Sequence, residues 1–138
     1  PFPVPTELLT ARLQQAIDLA REESGDPRTG MERLCGTTGP SCLAGAMYAC
    51  LTCHDDFDTA LITAVNHSGL SAAVGALTGA IMGAGLGAEA LPEFYLESLE
   101  PAMVLCELAD DLTQAKMVMR IFDDSWDHKY VQGLPPET

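Results

Sequence analysis

Apolar side chains recur along this chain at three- and four-residue intervals, and no stretch alternates with period two. That pattern predicts helices throughout and requires no strands. Leu9, Leu13, Ala16, Ile17 and Ala20 form one stripe behind Thr6, a suitable N-cap, and Gly25 and Pro27 end that helix. Residues 25–40, rich in Gly, Pro and Thr, read as a connection. Pro40 fits a first helical position, so Ser41 to Cys53 is the next helix, around Leu43, Met47, Cys50 and Leu51. Asp55 is placed to cap a helix carrying Phe57, Leu61, Ile62 and Val65, with Asp56 and Asp58 in its first turn. Further helices are expected from about Ser71 to Leu86, from Pro92 through Leu99, and from Pro101 to about Arg120. The tail from Asp123 to Thr138, which holds Trp126, reads as an irregular strap.

Gly75, Gly79, Gly83 and Gly87 fall four residues apart, in one ridge of the Ser71–Leu86 helix and its end. Each glycine costs about 1 kcal/mol against alanine inside a helix, so close backbone packing is the expected compensation. Residues 70–88 carry no charge. A central helix buried on all sides explains this better than a membrane span, because large apolar residues, flanking cations and aromatic belts are missing.

With 138 residues the chain can bury roughly two-thirds of its unfolded surface, enough for a core. Twenty acidic against seven basic residues give a formal net charge of −13. Such a surface repels phosphate backbones and anionic lipid, so neither nucleic acid nor a membrane is an expected partner. The five cysteines are Cys35, Cys42, Cys50, Cys53 and Cys106. Their odd number, the lack of a leader-like stretch and the helical background lead to an expectation of reduced thiols in a cytoplasmic location.

Cys50-Leu51-Thr52-Cys53-His54 matches the short C-x-x-C-H haem-attachment pattern. It also allows a zinc site with Cys35 or Cys42, although their spacing is not that of a zinc knuckle. Two small buried thiols at a helix end account for the same residues. His54-Asp55-Asp56-Phe57-Asp58 resembles an acidic metal cluster, but aspartates before and within a first helical turn are what capping and the helix dipole favour. Asp110-Asp111 and Asp123-Asp124 are paired carboxylates expected to face water. Phosphate-loop, dinucleotide and serine-elbow motifs are missing.

The segment Ala64-Val65-Asn66-His67-Ser68-Gly69-Leu70-Ser71-Ala72-Ala73, followed by the glycine ridge, resembles the C-terminal signature of the ADP-ribosylglycohydrolase family. That signature reads A-V-N-H-S-G-D-S-D-S/T. The resemblance runs from about Gly39 to Tyr130 and includes Leu43, Ala46 and Tyr48, Leu91-Pro92-Glu93 and Leu108 to Leu112. It implies a multi-helix orthogonal bundle like the C-terminal part of the family's all-α fold. Residues 1–138 would then be a single all-α domain, the C-terminal portion of a larger one. The start at Pro1-Phe2-Pro3, with no initiator Met, fits that expectation.

The family hydrolyses ADP-ribosyl bonds with a pair of magnesium ions held by the Asp-x-Asp-Ser/Thr part of its signature. In this chain those positions are Leu70, Ala72 and Ala73, which offer magnesium no side-chain oxygen. The expectation is therefore no catalytic residue, no metal ligand and no cofactor for this chain, with little activity on its own. What the resemblance leaves is shape. Asn66, His67, Ser68 and Gly69 are expected to form a turn bounding a cleft for an ADP-ribose-like ligand, with Ser68 or Ser71 offering a hydroxyl. A turn that only joins two packed helices accounts for these residues more simply. Non-catalytic binding, a scaffold that associates with itself or with a missing N-terminal half, and a piece of a larger enzyme all remain open. A Cys/His metal or haem carrier is the rival from another class.

Overall fold

A computed structural model describes residues 6–22, 26–34 and 36–113. Among them every regular element is helical, as the period of the apolar residues predicts. The elements are α1 (Thr6–Arg21), α2 (Pro27–Leu34), α3 (Gly39–Thr52), α4 (Phe57–Val65), α5 (Ser71–Leu86), a 3₁₀ turn at Ala88–Ala90, α6 (Glu93–Glu97) and α7 (Ala102–Thr113). The chain divides after Pro92 into two compact units. The first holds α1 to α5 and the 3₁₀ turn, and the second holds α6 and α7.

In the first unit α3 is the central helix and packs against α1, α2, α4 and α5. Its composition explains this position. Ser41, Cys42, Ala44, Gly45, Ala46, Tyr48 and Ala49 are all buried, and most are too small to hold a neighbouring backbone away. The core around them takes Ala16 and Leu19 from α1, Met31 and Leu34 from α2, Ala64 from α4 and Val74 from α5. Tyr48 is the one large side chain of α3 in this core, and its ring fills the space where a Cβ of Gly30 would lie. Glycine at position 30 is thus what lets α2 lie against α3.

Three helix starts have a local cause. Asp26 precedes Pro27, and its carboxylate accepts from the Arg28 N–H at 3.2 Å, so an acidic cap and a proline open α2. Thr38 is extended at the entry to α3, and its N–H donates to Ser41 Oγ at 3.3 Å. Asp56 caps α4 by accepting from the Thr59 N–H at 3.0 Å and the Thr59 hydroxyl at 2.6 Å. The Thr59 hydroxyl first, then its N–H, hold the Asp56 carboxyl below the usual carboxylate range. At the end of α5, Gly87 takes φ +84° and returns its N–H to the Gly83 carbonyl at 2.9 Å.

Four expectations are corrected. Residues 25–40 are not only a connection, because α2 lies inside them and buries Met31 and Leu34. The cap of α4 is Asp56 rather than Asp55, since Asp56 has the extended backbone from which a carboxylate reaches Thr59. The helix containing Pro40 starts one residue earlier, at Gly39, because Thr38 is the extended residue. And α5 is not buried on all sides. It buries only Val74, Thr78 and Met82, because α3 and α4 pack along one side of it, and Ala72, Ala73, Ala76, Ala80 and Ile81 are exposed.

The glycine ridge is close-packed for half its length. A Cβ on Gly75 would meet Val65 at 2.8 Å and one on Gly79 would touch Leu61 at 3.8 Å, while Gly83 has open space. No described helix is long and apolar enough to cross a membrane. Thr6 is itself the first residue of α1 and not the residue before the helix, which corrects its reading as the N-cap. The Gly25 stop, the continuation of the last helix to Arg120 and the strap from Asp123 to Thr138 lie outside the described residues.

Met31 is fully buried in the core, so Met31→Ala should cost about 2–5 kcal/mol, read from the midpoint shift in urea unfolding. An unchanged midpoint would mean that α2 is not part of the core.

Candidate functional site

Helix α4 ends at Val65, and residues 66–70 make an irregular turn into α5. Asn66 is the C-cap, and its Nδ2 donates to the Ile62 carbonyl at 2.7 Å, satisfying one of the helix's last acceptors. His67 turns inward, and its Nδ1 accepts from the Gly69 N–H at 2.9 Å. The ring proton of the neutral tautomer is therefore on Nε2, an atom enclosed without a protein partner among the described residues. The Ser71 hydroxyl donates to the His67 carbonyl at 3.2 Å, and the Ser71 N–H to the Gly69 carbonyl at 2.9 Å. The turn thus gathers Asn66, His67, Ser68, Gly69 and Ser71. Asn66 and Ser68 are exposed, and the other three are half-buried.

Two contacts tie this turn to distant parts of the chain. The Ser68 N–H donates to Glu32 Oε1 at 3.0 Å, and the Ser68 hydroxyl donates to Glu32 Oε2. One carboxylate of α2 therefore takes both donors of a residue 36 positions later. Chiefly the Ser68 hydroxyl, then its N–H, His67 and Arg28, hold the Glu32 carboxyl below the ordinary glutamate range, outweighing a desolvation effect of opposite sign. The second contact is steric. A Cβ on Gly69 would lie 2.9 Å from the Gly36 carbonyl oxygen and 3.1 Å from His67 Nδ1, so the turn presses against the backbone leading into α3. Neither Glu32 nor Gly36 stood out in the sequence. Met31 and Leu34, three apart and apolar, are the signal that reveals their helix, but the pairing with Ser68 leaves no local trace.

The residues after the turn do not fit a magnesium ion. Leu70 precedes the first turn of α5 with its side chain about half exposed, and Ala72 and Ala73 are exposed within that turn. None has a side-chain oxygen to offer a cation that needs several hard ligands in a tight octahedron. Among the described residues, no group of three or more His, Cys, Asp or Glu side chains gathers to a metal-binding distance.

The C-x-x-C-H residues face different neighbours. Cys50 Sγ lies 4.0 Å from the Thr78 carbonyl of α5, Cys53 Sγ lies 3.8 Å from the Thr63 hydroxyl of α4, and His54 is exposed beside Asp55 at 3.3 Å. Burial first, and the nearby Cys53 second, push the Cys50 thiol up, which disfavours the thiolate that zinc requires. Cys42, Cys50, Cys53 and Cys106 are free thiols, and Cys35 lies outside the described residues. Asp110 faces water as expected, but Asp111 is buried, a correction to the reading of that pair. The pair Asp123-Asp124 lies outside the described residues.

Two cavities open elsewhere on the first unit. One of about 330 Å³ is apolar, between α1 and α3, lined by Ile17, Ala20, Met47 and Leu51 with Arg21. One of about 150 Å³ has a mixed lining and lies beside Leu19, Tyr48, Gly30 and Asp26. Residues 66–71 line neither.

If close approach is the reason for Gly69, Gly69→Ala should destabilise the protein by about 1–3 kcal/mol through overpacking. Gly83→Ala, in open space inside α5, should instead stabilise it by about 0.5–1 kcal/mol. Thermal unfolding of the two variants checks both signs.

The model of the ADP-ribosylglycohydrolase family matches residues 4–120. No curated protein and no solved structure matches the chain. The match covers most of the chain, including the five helices of the first unit and the turn between α4 and α5. The chain belongs to the ADP-ribosylglycohydrolase family.

Proposed function

We propose that this chain is a member of the family without magnesium-dependent hydrolase activity of its own, and that its turn 66–71 binds an ADP-ribose-like ligand. The observation that carries the first half is chemical. Where the family signature calls for Asp, Asp and Ser or Thr, the chain has Leu70, Ala72 and Ala73, and no side-chain oxygen takes their place at those positions. A metal-bound water is activated because the cation stabilises hydroxide, and a site without ligands cannot hold that cation.

The second half is supported by how the turn is kept. It is irregular, and yet six hydrogen bonds and a close backbone approach hold it in one shape. Ser68 and Asn66 are exposed, and the acceptor lone pairs of the Ser68 hydroxyl together with the second amide N–H and the Oδ1 of Asn66 are able to meet ribose hydroxyls. A second reading, a protein-interaction scaffold, draws on the exposed Ile62 and Val65 of α4 and Ile81 and Leu86 of α5. Growth of the sedimentation coefficient with concentration marks that reading.

Titrating magnesium into the chain by calorimetry should give no saturable heat, and incubation with an ADP-ribosylated arginine and magnesium should release no ADP-ribose above the buffer rate. Within a full-length version of the protein, the variant Leu70→Asp, Ala72→Asp, Ala73→Ser should recover measurable magnesium binding. Magnesium-dependent release by the unsubstituted chain would overturn the proposal.

A further inference from the structure

The turn that carries the proposed ligand site is not self-supporting. Its internal bonds, from Asn66 to Ile62, Gly69 to His67 and Ser71 to His67, fix its local shape but do not fix where it sits on the bundle. Its position is set by α4 and α5, which pack against each other and against α3, and by two contacts outside them, the Gly36 carbonyl behind Gly69 and Glu32 in front of Ser68. The first of these only blocks inward movement. The second draws the turn towards α2 through two hydrogen bonds to one carboxylate, and bonds to an ionised acceptor are the stronger kind.

We propose that Glu32 is a positioning residue that latches the 66–70 turn to α2 through both donors of Ser68, and that ligand binding at the turn requires the latch to be closed. This rests on the reading of the turn as a ligand site. It deepens that reading by naming a residue outside the signature segment on which the site depends. Glu32 lies on the second turn of a helix whose buried side, Met31 and Leu34, is anchored in the core. Its backbone is fixed, and only its exposed side chain has to find Ser68.

The latch needs the carboxylate ionised. A protonated Glu32 can accept from one Ser68 donor but loses the second, charge-assisted bond. The charged and titratable groups acting on Glu32 are His67, within the turn, and Arg28, one turn earlier on α2. Both favour the ionised form, in line with the lowered affinity of this carboxyl for protons. Because that affinity is lower in the folded chain, the latch is fully closed above the ordinary glutamate range. It opens as pH falls through the lowered value of the folded state.

The test follows the Ser68 amide of the isotope-labelled full chain by nuclear magnetic resonance between pH 7 and pH 3. Wild type should show a single large shift of the Ser68 N–H, with its midpoint below the ordinary glutamate range. Glu32→Gln should remove that step while the amides of α3 and α5 stay in place. At neutral pH, Glu32→Gln should weaken binding of ADP-ribose about tenfold, and acidification should weaken wild type but not the variant. An identical Ser68 titration in Glu32→Gln, or no acid step in wild type, overturns the latch. If wild type binds no ADP-ribose at any pH, the ligand reading fails, and with it the requirement placed on ligand binding. The Ser68 titration then still decides the latch alone.

Discussion

The first unit depends on how closely four helices can approach α3. That helix presents Ala44, Gly45, Ala46 and Ala49 to its neighbours, and all are buried. Small side chains bring the neighbouring backbones in, and dispersion contacts grow steeply as the gaps close. The same surface has little tolerance. Tyr48 is the exception to its small residues, and the chain accommodates that ring by placing glycine at position 30. A core of this kind gains less from large apolar side chains than from fit.

From that packing the position of the turn follows. Because α2 and α4 both lie against α3, the exposed side of α2 comes beside the end of α4. Glu32 can then meet Ser68, and the Gly36 carbonyl can back onto Gly69. The turn keeps the Asn66-His67-Ser68-Gly69 sequence that resembles the family signature, while Leu70 and Ala72, on either side of Ser71, lack the signature's acidic groups. The turn's local shape rests on packing and hydrogen bonds spread over several elements, whereas metal binding rests on a few side-chain oxygens that single substitutions remove.

Periodicity made the helices legible. The bounds of α5 were readable because Asn66-His67-Ser68-Gly69 precede it as a turn and Gly87 follows its last apolar residue, Leu86. Helix α2 was obscured because a single turn of two core residues, Met31 and Leu34, is set among Gly, Thr and Arg. The partial exposure of α5 was obscured for a different reason. Its composition of Ala and Gly is compatible with burial everywhere, and only the positions of α3 and α4 decide which side is covered. The turn residues were visible through their resemblance to the family signature, which says nothing about what holds them. Glu32 reaches Ser68 across 36 residues, and no spacing rule connects positions that far apart.

The account stands most directly on one calorimetric experiment, the titration of ADP-ribose into this chain in the presence and in the absence of magnesium. It predicts saturable binding with the same affinity in both, because residues 66–71 hold the ligand and Leu70, Ala72 and Ala73 hold no ion. Binding that appears only with magnesium would contradict it, since a cation site would then have survived on other ligands.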